Sequence, residues 1–150
     1  MASCSNDAAA WRREMKFPSV SGCGEQFVDS IVEELTRRSW PEHVLFGVRL
    51  AFDEAIANAV EHGNRHDSQK SVLIGAEITD KRLLMTIKDE GAGFCRNDVP
   101  NPLAEENLDK PTGRGLFLIK NFMTRVWHND AGNVIFMEKV LTQEDLDATT

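Results

Sequence analysis

The stretch Phe52-Asp53-Glu54-Ala55-Ile56-Ala57-Asn58-Ala59-Val60-Glu61-His62-Gly63 constrains this chain more than any other. No Pro interrupts it, Ala recurs at 51, 55, 57 and 59, and Gly63 stands where a C-terminal cap belongs. It therefore reads as the second half of a long helix. At about 100° per residue, Glu54, Asn58 and Glu61/His62 fall on one stripe. Val44, Val48, Phe52, Ala55 and Ala59 form an apolar stripe beside it, and Arg49 and Asp53 point to solvent. A carboxylate and a carboxamide thus stand one turn apart at the edge of a buried face. Taken alone, the helix is equally an ordinary amphipathic one whose Asn is hydrogen-bonded, since a buried amide demands a partner.

Two later stretches separate these readings. Asp89-Glu90-Gly91-Ala92-Gly93-Phe94 follows an apolar, strand-like run, and Gly113-Arg114-Gly115-Leu116 leads into the apolar run Leu116-Phe117-Leu118-Ile119. Either Gly-x-Gly alone is common in loops. The ordered set is specific: Glu-x-x-x-Asn on a helix, Asp-x-Gly-x-Gly after a strand, then Gly-x-Gly opening a helix. It resembles the N, G1 and G2 boxes of the GHKL ATPases, the superfamily of gyrase, heat-shock chaperone, histidine kinase and mismatch-repair ATPases. Within it, Glu-Ala-x-x-Asn-Ala-x-x-His-Gly is most similar to the anti-sigma regulatory kinases. The resemblance covers residues 11 to 140, most of the chain.

The composition bounds what such a chain can be. Its 150 residues suit one domain with a single core, and 41% hydrophobic with 27% charged residues is that of a water-soluble globule. A net charge of −7 argues against direct nucleic-acid binding. Residues 1–10 lack the apolar stretch of a signal peptide, and no run has the length of a membrane span. A cytoplasmic protein is expected. Cys4, Cys23 and Cys95 are odd in number and widely spaced, so neither a disulfide framework nor a zinc site is expected. His43, His66 and His128 have no ligand-like spacing either.

In chain order, a flexible N-terminus (1–10) precedes one ATP-binding kinase domain (11–141) and an acidic, polar tail (142–150). Trp11 to Phe17 alternates as an edge strand that Pro18 ends, with Arg13 breaking the pattern. Phe27, Ile31 and Leu35, with Val28 and Val32 alongside, predict a helix from Glu25 to Ser39. Pro41 suits the first turn of the next helix, with Ser39 as its cap, and that helix runs to His62. Ser71–Ile78 and Arg82–Lys88 read as a hairpin, each with one buried face. Residues 90–114, rich in Gly, Pro, Asn and Asp, read as a lid-like loop centred on 96–112 or as a loose insertion. A short helix from Arg114 and a second hairpin, Thr124–Asn129 with Asn133–Val140, complete the domain. Two successive hairpins imply an antiparallel sheet, and amphipathic helices must cover one face of it. The expected fold is an α+β two-layer sandwich. The resemblance implies the same, the Bergerat fold of histidine-kinase-like ATPases.

The residue types suit Mg²⁺-ATP, and the resemblance assigns the roles. Mg²⁺ takes oxygen ligands and keeps several waters, so one protein ligand suffices. By resemblance that metal ligand is Asn58, which also belongs to the nucleotide site. Glu54 corresponds to the catalytic base that polarises the attacking hydroxyl. Asp89 corresponds to the adenine contact, with Gly91 and Gly93 letting the backbone turn close to the base. Gly113, Gly115 and Leu116 sit at a helix start suited to phosphate. Arg114 is either a charge-assisted phosphate contact or a solvated loop residue. His62 is read as a cap on the last helical carbonyls before it is read as a catalyst, and Phe94 and Trp127 as packing residues. The resemblance implies an ATP-dependent serine/threonine protein kinase that acts as an anti-sigma factor. It would sequester a sigma factor, phosphorylate a small anti-sigma-factor antagonist and form a homodimer. The alternative is a nucleotide-dependent binding module without phosphoryl transfer.

Overall fold

The computed structural model describes residues 10–91 and 119–148. Its elements are β1 (Trp11–Pro18), α1 (Glu25–Arg37), α2 (Glu42–Asn58), β2 (Ser71–Ile78), β3 (Arg82–Lys88), β4 (Arg125–His128), β5 (Val134–Val140) and α3 (Gln143–Asp147). Residues 119–122 are also helical. Five strands form one sheet in the order β1-β2-β3-β5-β4, and every neighbouring pair is antiparallel. Both predicted hairpins are present, β2–β3 with the predicted bounds and β4–β5 trimmed by a residue at each end except the last.

Alternation along the strands explains the two layers. Val72, Ile74 and Ile78 of β2, Leu83, Met85 and Ile87 of β3, and Met137 of β5 are all buried on one sheet face. Phe27, Val28, Ile31 and Leu35 of α1 and Val44, Val48, Phe52 and Ala55 of α2 join them in a single core cluster. Burying one such Val, Ile or Phe side chain contributes about 1.5–3 kcal/mol, so this interface holds the helices on the sheet. β1 is the edge strand that the sequence predicts. Its out-of-pattern Arg13 shares a face with Trp11 and lays its guanidinium over that ring, 5.0 Å from the centroid.

Helix ends differ from expectation in three places. Helix α1 stops at Arg37 rather than Ser39, because Ser39 takes a left-handed backbone (φ 64). Ser39 is consequently not the cap of α2; Pro41 occupies that position with extended backbone and no side-chain cap bond. The link is pinned instead by Trp40, buried, whose Nε1–H donates to the Asp80 carbonyl at 3.0 Å. The expected tail after Leu141 contains α3. Thr142 and Asp145 form a reciprocal capping box that the Thr-x-x-Asp spacing encodes, and Lys139 Nζ lies 3.5 Å from Asp145. The third difference, at the end of α2, belongs to the candidate site. No helix among the described residues is long and apolar enough to cross a membrane.

Gly24 joins the layers where α1 begins. Its φ of 78 is left-handed, and a Cβ there would lie 2.5 Å from Ile74 Cδ1 in the core. Gly24→Ala is expected to lower the unfolding free energy by on the order of 2 kcal/mol or more, combining backbone strain with overpacking. The midpoint of a urea titration measures it.

Candidate functional site

Helix α2 does not close on a left-handed Gly63. It widens into a π-helical turn, Ala59–Gly63, in which the Asn64 N–H donates to the Ala59 carbonyl at 2.8 Å. The chain then reverses through Arg65 and His66, both left-handed (φ 51 and 60), and the His66 N–H donates to the Val60 carbonyl. His62 is exposed and caps nothing among the described residues. Wide turns of this kind are rare in helices and concentrate at functional sites.

Gly63 has a different use from the one expected of it. A Cβ built on Gly63 would overlap the Asp89 carboxyl, and one built on Gly91 would overlap the Gly63 carbonyl. The end of α2 and the end of β3 therefore meet only because both residues lack a side chain. This contact brings the helix that carries Glu54 and Asn58 to the Asp89-Glu90-Gly91 segment. The backbone of Asp89 is gripped from the sheet side as well. Its N–H donates to the Asn133 carbonyl at 3.0 Å, and its carbonyl accepts from Asn133 Nδ2 at 3.5 Å.

Each described candidate sits in a setting suited to a ligand. Glu54 and Asn58 are half-buried on the stripe predicted for them, and the side chain of neither makes a hydrogen bond among the described residues. Asp89 is half-buried; its Oδ1 accepts from the Gly91 N–H at 2.8 Å. Burial pushes its carboxyl above the ordinary value, against the lowering effects of the Gly91 amide and of Lys70. Gly93, Gly113, Arg114, Gly115 and Leu116, together with the lid, Phe94 and Cys95, lie outside the described residues. Trp127 is a packing residue, stacked on Phe136 with 5.2 Å between centroids.

Arg49 and Asp53 face a cleft of about 480 Å³ against the start of α1, lined also by Cys23, Glu25 and Glu61. Arg49 pairs with Asp29 at 2.6 Å, while burial, offset by Arg49 and reinforced by Glu25 and Asp29, raises the Asp53 carboxyl. This cleft includes none of Glu54, Asn58 and Asp89, so it is separate from the candidate nucleotide site. Asn64 is the residue that the sequence concealed. It is fully buried, yet it follows His62-Gly63 at the head of a polar run that reads as loop, and nothing in its spacing marks it.

The Asp89 shift has a sign that can be tested. A carboxyl raised in the folded state is easier to ionise in the unfolded chain, so its charge costs stability above the folded pKa. That cost fades as pH falls towards the ordinary Asp range. Asp89→Asn is expected to raise the melting temperature of the nucleotide-free protein at pH 7, with the gain shrinking in acid. The same change should weaken ATP binding by roughly ten- to a hundredfold, the scale of one charge-assisted hydrogen bond. Thermal melts across pH and calorimetric titration with ATP check both halves.

Comparison with known proteins agrees with this geometry. The histidine kinase-like ATPase domain matches residues 25–139. The chain is 28% identical over 122 residues to the anti-sigma F factor of Geobacillus sp. (strain WCH70), covering 77% of this chain and 76% of that protein. It is 31% identical over 106 residues to the serine-protein kinase RsbW of Staphylococcus epidermidis, covering 65% and 67%. Against the anti-sigma F factor of Clostridium perfringens it is 29% identical over 118 residues, covering 75% and 76%.

Proposed function

Because the chain belongs to the histidine kinase-like ATPase family, we propose that it is an ATP-dependent serine/threonine protein kinase that acts as an anti-sigma factor. The observation that supports the reading is the meeting of Gly63, Asp89 and Gly91, which brings the Asp89 carboxyl to the end of the helix bearing Glu54 and Asn58. The relatives named anti-sigma F factor and serine-protein kinase support both halves of the description. In this reading the protein holds a sigma factor and phosphorylates an anti-sigma-factor antagonist, both in the cytoplasm. A homodimer is part of the same proposal.

The residues divide the work as their surroundings suggest. Asp89 accepts from the exocyclic amine of adenine: Oδ1 is committed to the Gly91 amide, and Oδ2 has no bond among the described residues. Asn58 suits Mg²⁺, since its carboxamide, unbonded among the described residues, offers a neutral oxygen on a rigid helix, and bound Mg²⁺ would neutralise phosphate charge. Gly91 and Gly93 are assigned to the base and Gly113, Arg114, Gly115 and Leu116 to the phosphates, all but Gly91 lying outside the described residues. Glu54 takes the proton from the substrate Ser or Thr hydroxyl as its oxygen bonds the γ-phosphorus and ADP leaves.

Two substitutions test the assignment together. Asn58→Ala is expected to abolish Mg²⁺-dependent ATP binding with the fold retained. Glu54→Gln is expected to bind ATP nearly normally and to transfer phosphate about 10²–10⁴-fold more slowly, as a lost general base does. Calorimetry and single-turnover transfer to candidate antagonist proteins supply the measurements. Unchanged affinity would remove Asn58 from the site. Equal transfer rates would remove Glu54 from the chemistry, and no transfer by the wild type to any candidate would leave a nucleotide-dependent binding module.

A further inference from the structure

We propose that Asn64 is a positioning residue for nucleotide selection: by holding the Glu90 amide it aims the Asp89 carboxylate and so sets the preference for adenine over guanine. The proposal rests on Asp89 being the adenine contact. Asn64 is fully buried and uses every polar atom it has. Its Nδ2 donates to Ser19 Oγ and to the Ser71 carbonyl, each at 3.0 Å. Its Oδ1 accepts from the Glu90 N–H at 2.8 Å. Its own N–H closes the π turn on Ala59, and its carbonyl accepts from Asp67. The Glu90 carboxylate in turn accepts from the Ser71 N–H, so Asn64, Ser71 and Glu90 form a closed ring of hydrogen bonds.

The two ends of this carboxamide serve different purposes. The Nδ2 bonds tie the polar turn to the end of β1 and the start of β2, and reach the Asp89 segment only through Ser71 and Glu90. The Oδ1 bond seizes the peptide that immediately follows Asp89. With Asn133 holding the Asp89 N–H and carbonyl from the other side, the carboxylate is fixed between two grips. Gly63, next to Asn64 in the chain, forms the wall behind that carboxylate. Removing the Oδ1 grip frees Asp89 to turn without removing any group that touches the nucleotide. Buried polar networks of this completeness confer orientation beyond the stability of their single bonds.

The test compares Kd for ATP and for GTP, each with Mg²⁺, by calorimetry on wild type, Asn64→Ala, Ser19→Ala and Asp89→Asn. Asn64→Ala is expected to lose roughly tenfold in ATP affinity with GTP affinity unchanged, the scale of one misdirected hydrogen bond. Ser19→Ala removes only a structural bond. It should lower the melting temperature and keep the ATP/GTP ratio. A wild-type ratio in folded Asn64→Ala, alongside a collapsed ratio in Asp89→Asn, overturns the role of Asn64 and leaves the adenine contact standing. A wild-type ratio in Asp89→Asn overturns the adenine contact, and this proposal with it. If Asn64→Ala does not fold, amide exchange in the nucleotide-free wild type decides. A Glu90 N–H protected like those of β3 supports the grip, and exchange at the rate of an exposed loop overturns it.

Discussion

The burial of the apolar face of α2 against the sheet is the interaction on which the rest of the structure depends. Val44, Val48, Phe52 and Ala55 are each at most 3% exposed, and at about 1.5–3 kcal/mol for each of the larger ones they outweigh any single hydrogen bond in the domain, worth about 1 kcal/mol net. Anchoring of that strength lets the helix edge carry Glu54 and Asn58, which contribute nothing comparable to packing. Gly47 shows how tightly the anchor is drawn, since a Cβ there would overlap the Phe122 ring. A helix held this firmly presents its edge residues on a rigid base, which an oriented carboxylate and amide require.

Much of this was legible in the chain because periodicity reports burial. The spacing of Phe27, Ile31 and Leu35 located α1, and the alternation of Val72, Ile74 and Ile78 located β2 with its register. What periodicity cannot report is how an element ends. Gly63 reads as a left-handed cap because Gly most often serves there, but its missing side chain makes room for Asp89, a residue 26 positions away. The reversal falls to Arg65, which propensity does not favour for left-handed backbone, and to His66, which it favours only over most other non-glycine residues. Asn64 was hidden for the same reason, its partners being Ser19, Ser71 and Glu90 from three separate segments. The helix α3, by contrast, has a local signal in its Thr-x-x-Asp box, set in a composition that is otherwise that of a tail.

Of the candidate site, the ordered motifs group residues far apart in the chain as one proposed site. They do so for Glu54, Asn58, Asp89 and Gly91 because each motif sits at the end of an element whose type is itself readable. The motifs could not say how Asp89 is held. That depends on Asn133 at the start of β5 and on Asn64 after α2, and a side-chain amide bonding a distant backbone group leaves no periodic trace.

The features gathered at this end of the molecule all work against the stability of the empty fold. A half-buried Asp89 whose carboxyl is raised by burial would be replaced at a gain by a neutral isostere. Glycines at 63 and 91 surrender chain entropy and packing surface. The wide turn after Asn58 gives up regular helical bonding, and two non-glycine residues adopt left-handed backbone, at about 1–2 kcal/mol each. Elsewhere the described structure mostly follows local rules, with alternating strands, a continuous core and a satisfied capping box; the left-handed Ser39 and the raised Asp53 carboxyl are the departures. Departures scattered through the fold could be tolerated imperfections. Departures concentrated where two motif-bearing elements meet are what a site built for a ligand requires, because the ligand supplies the interactions that the empty fold forgoes.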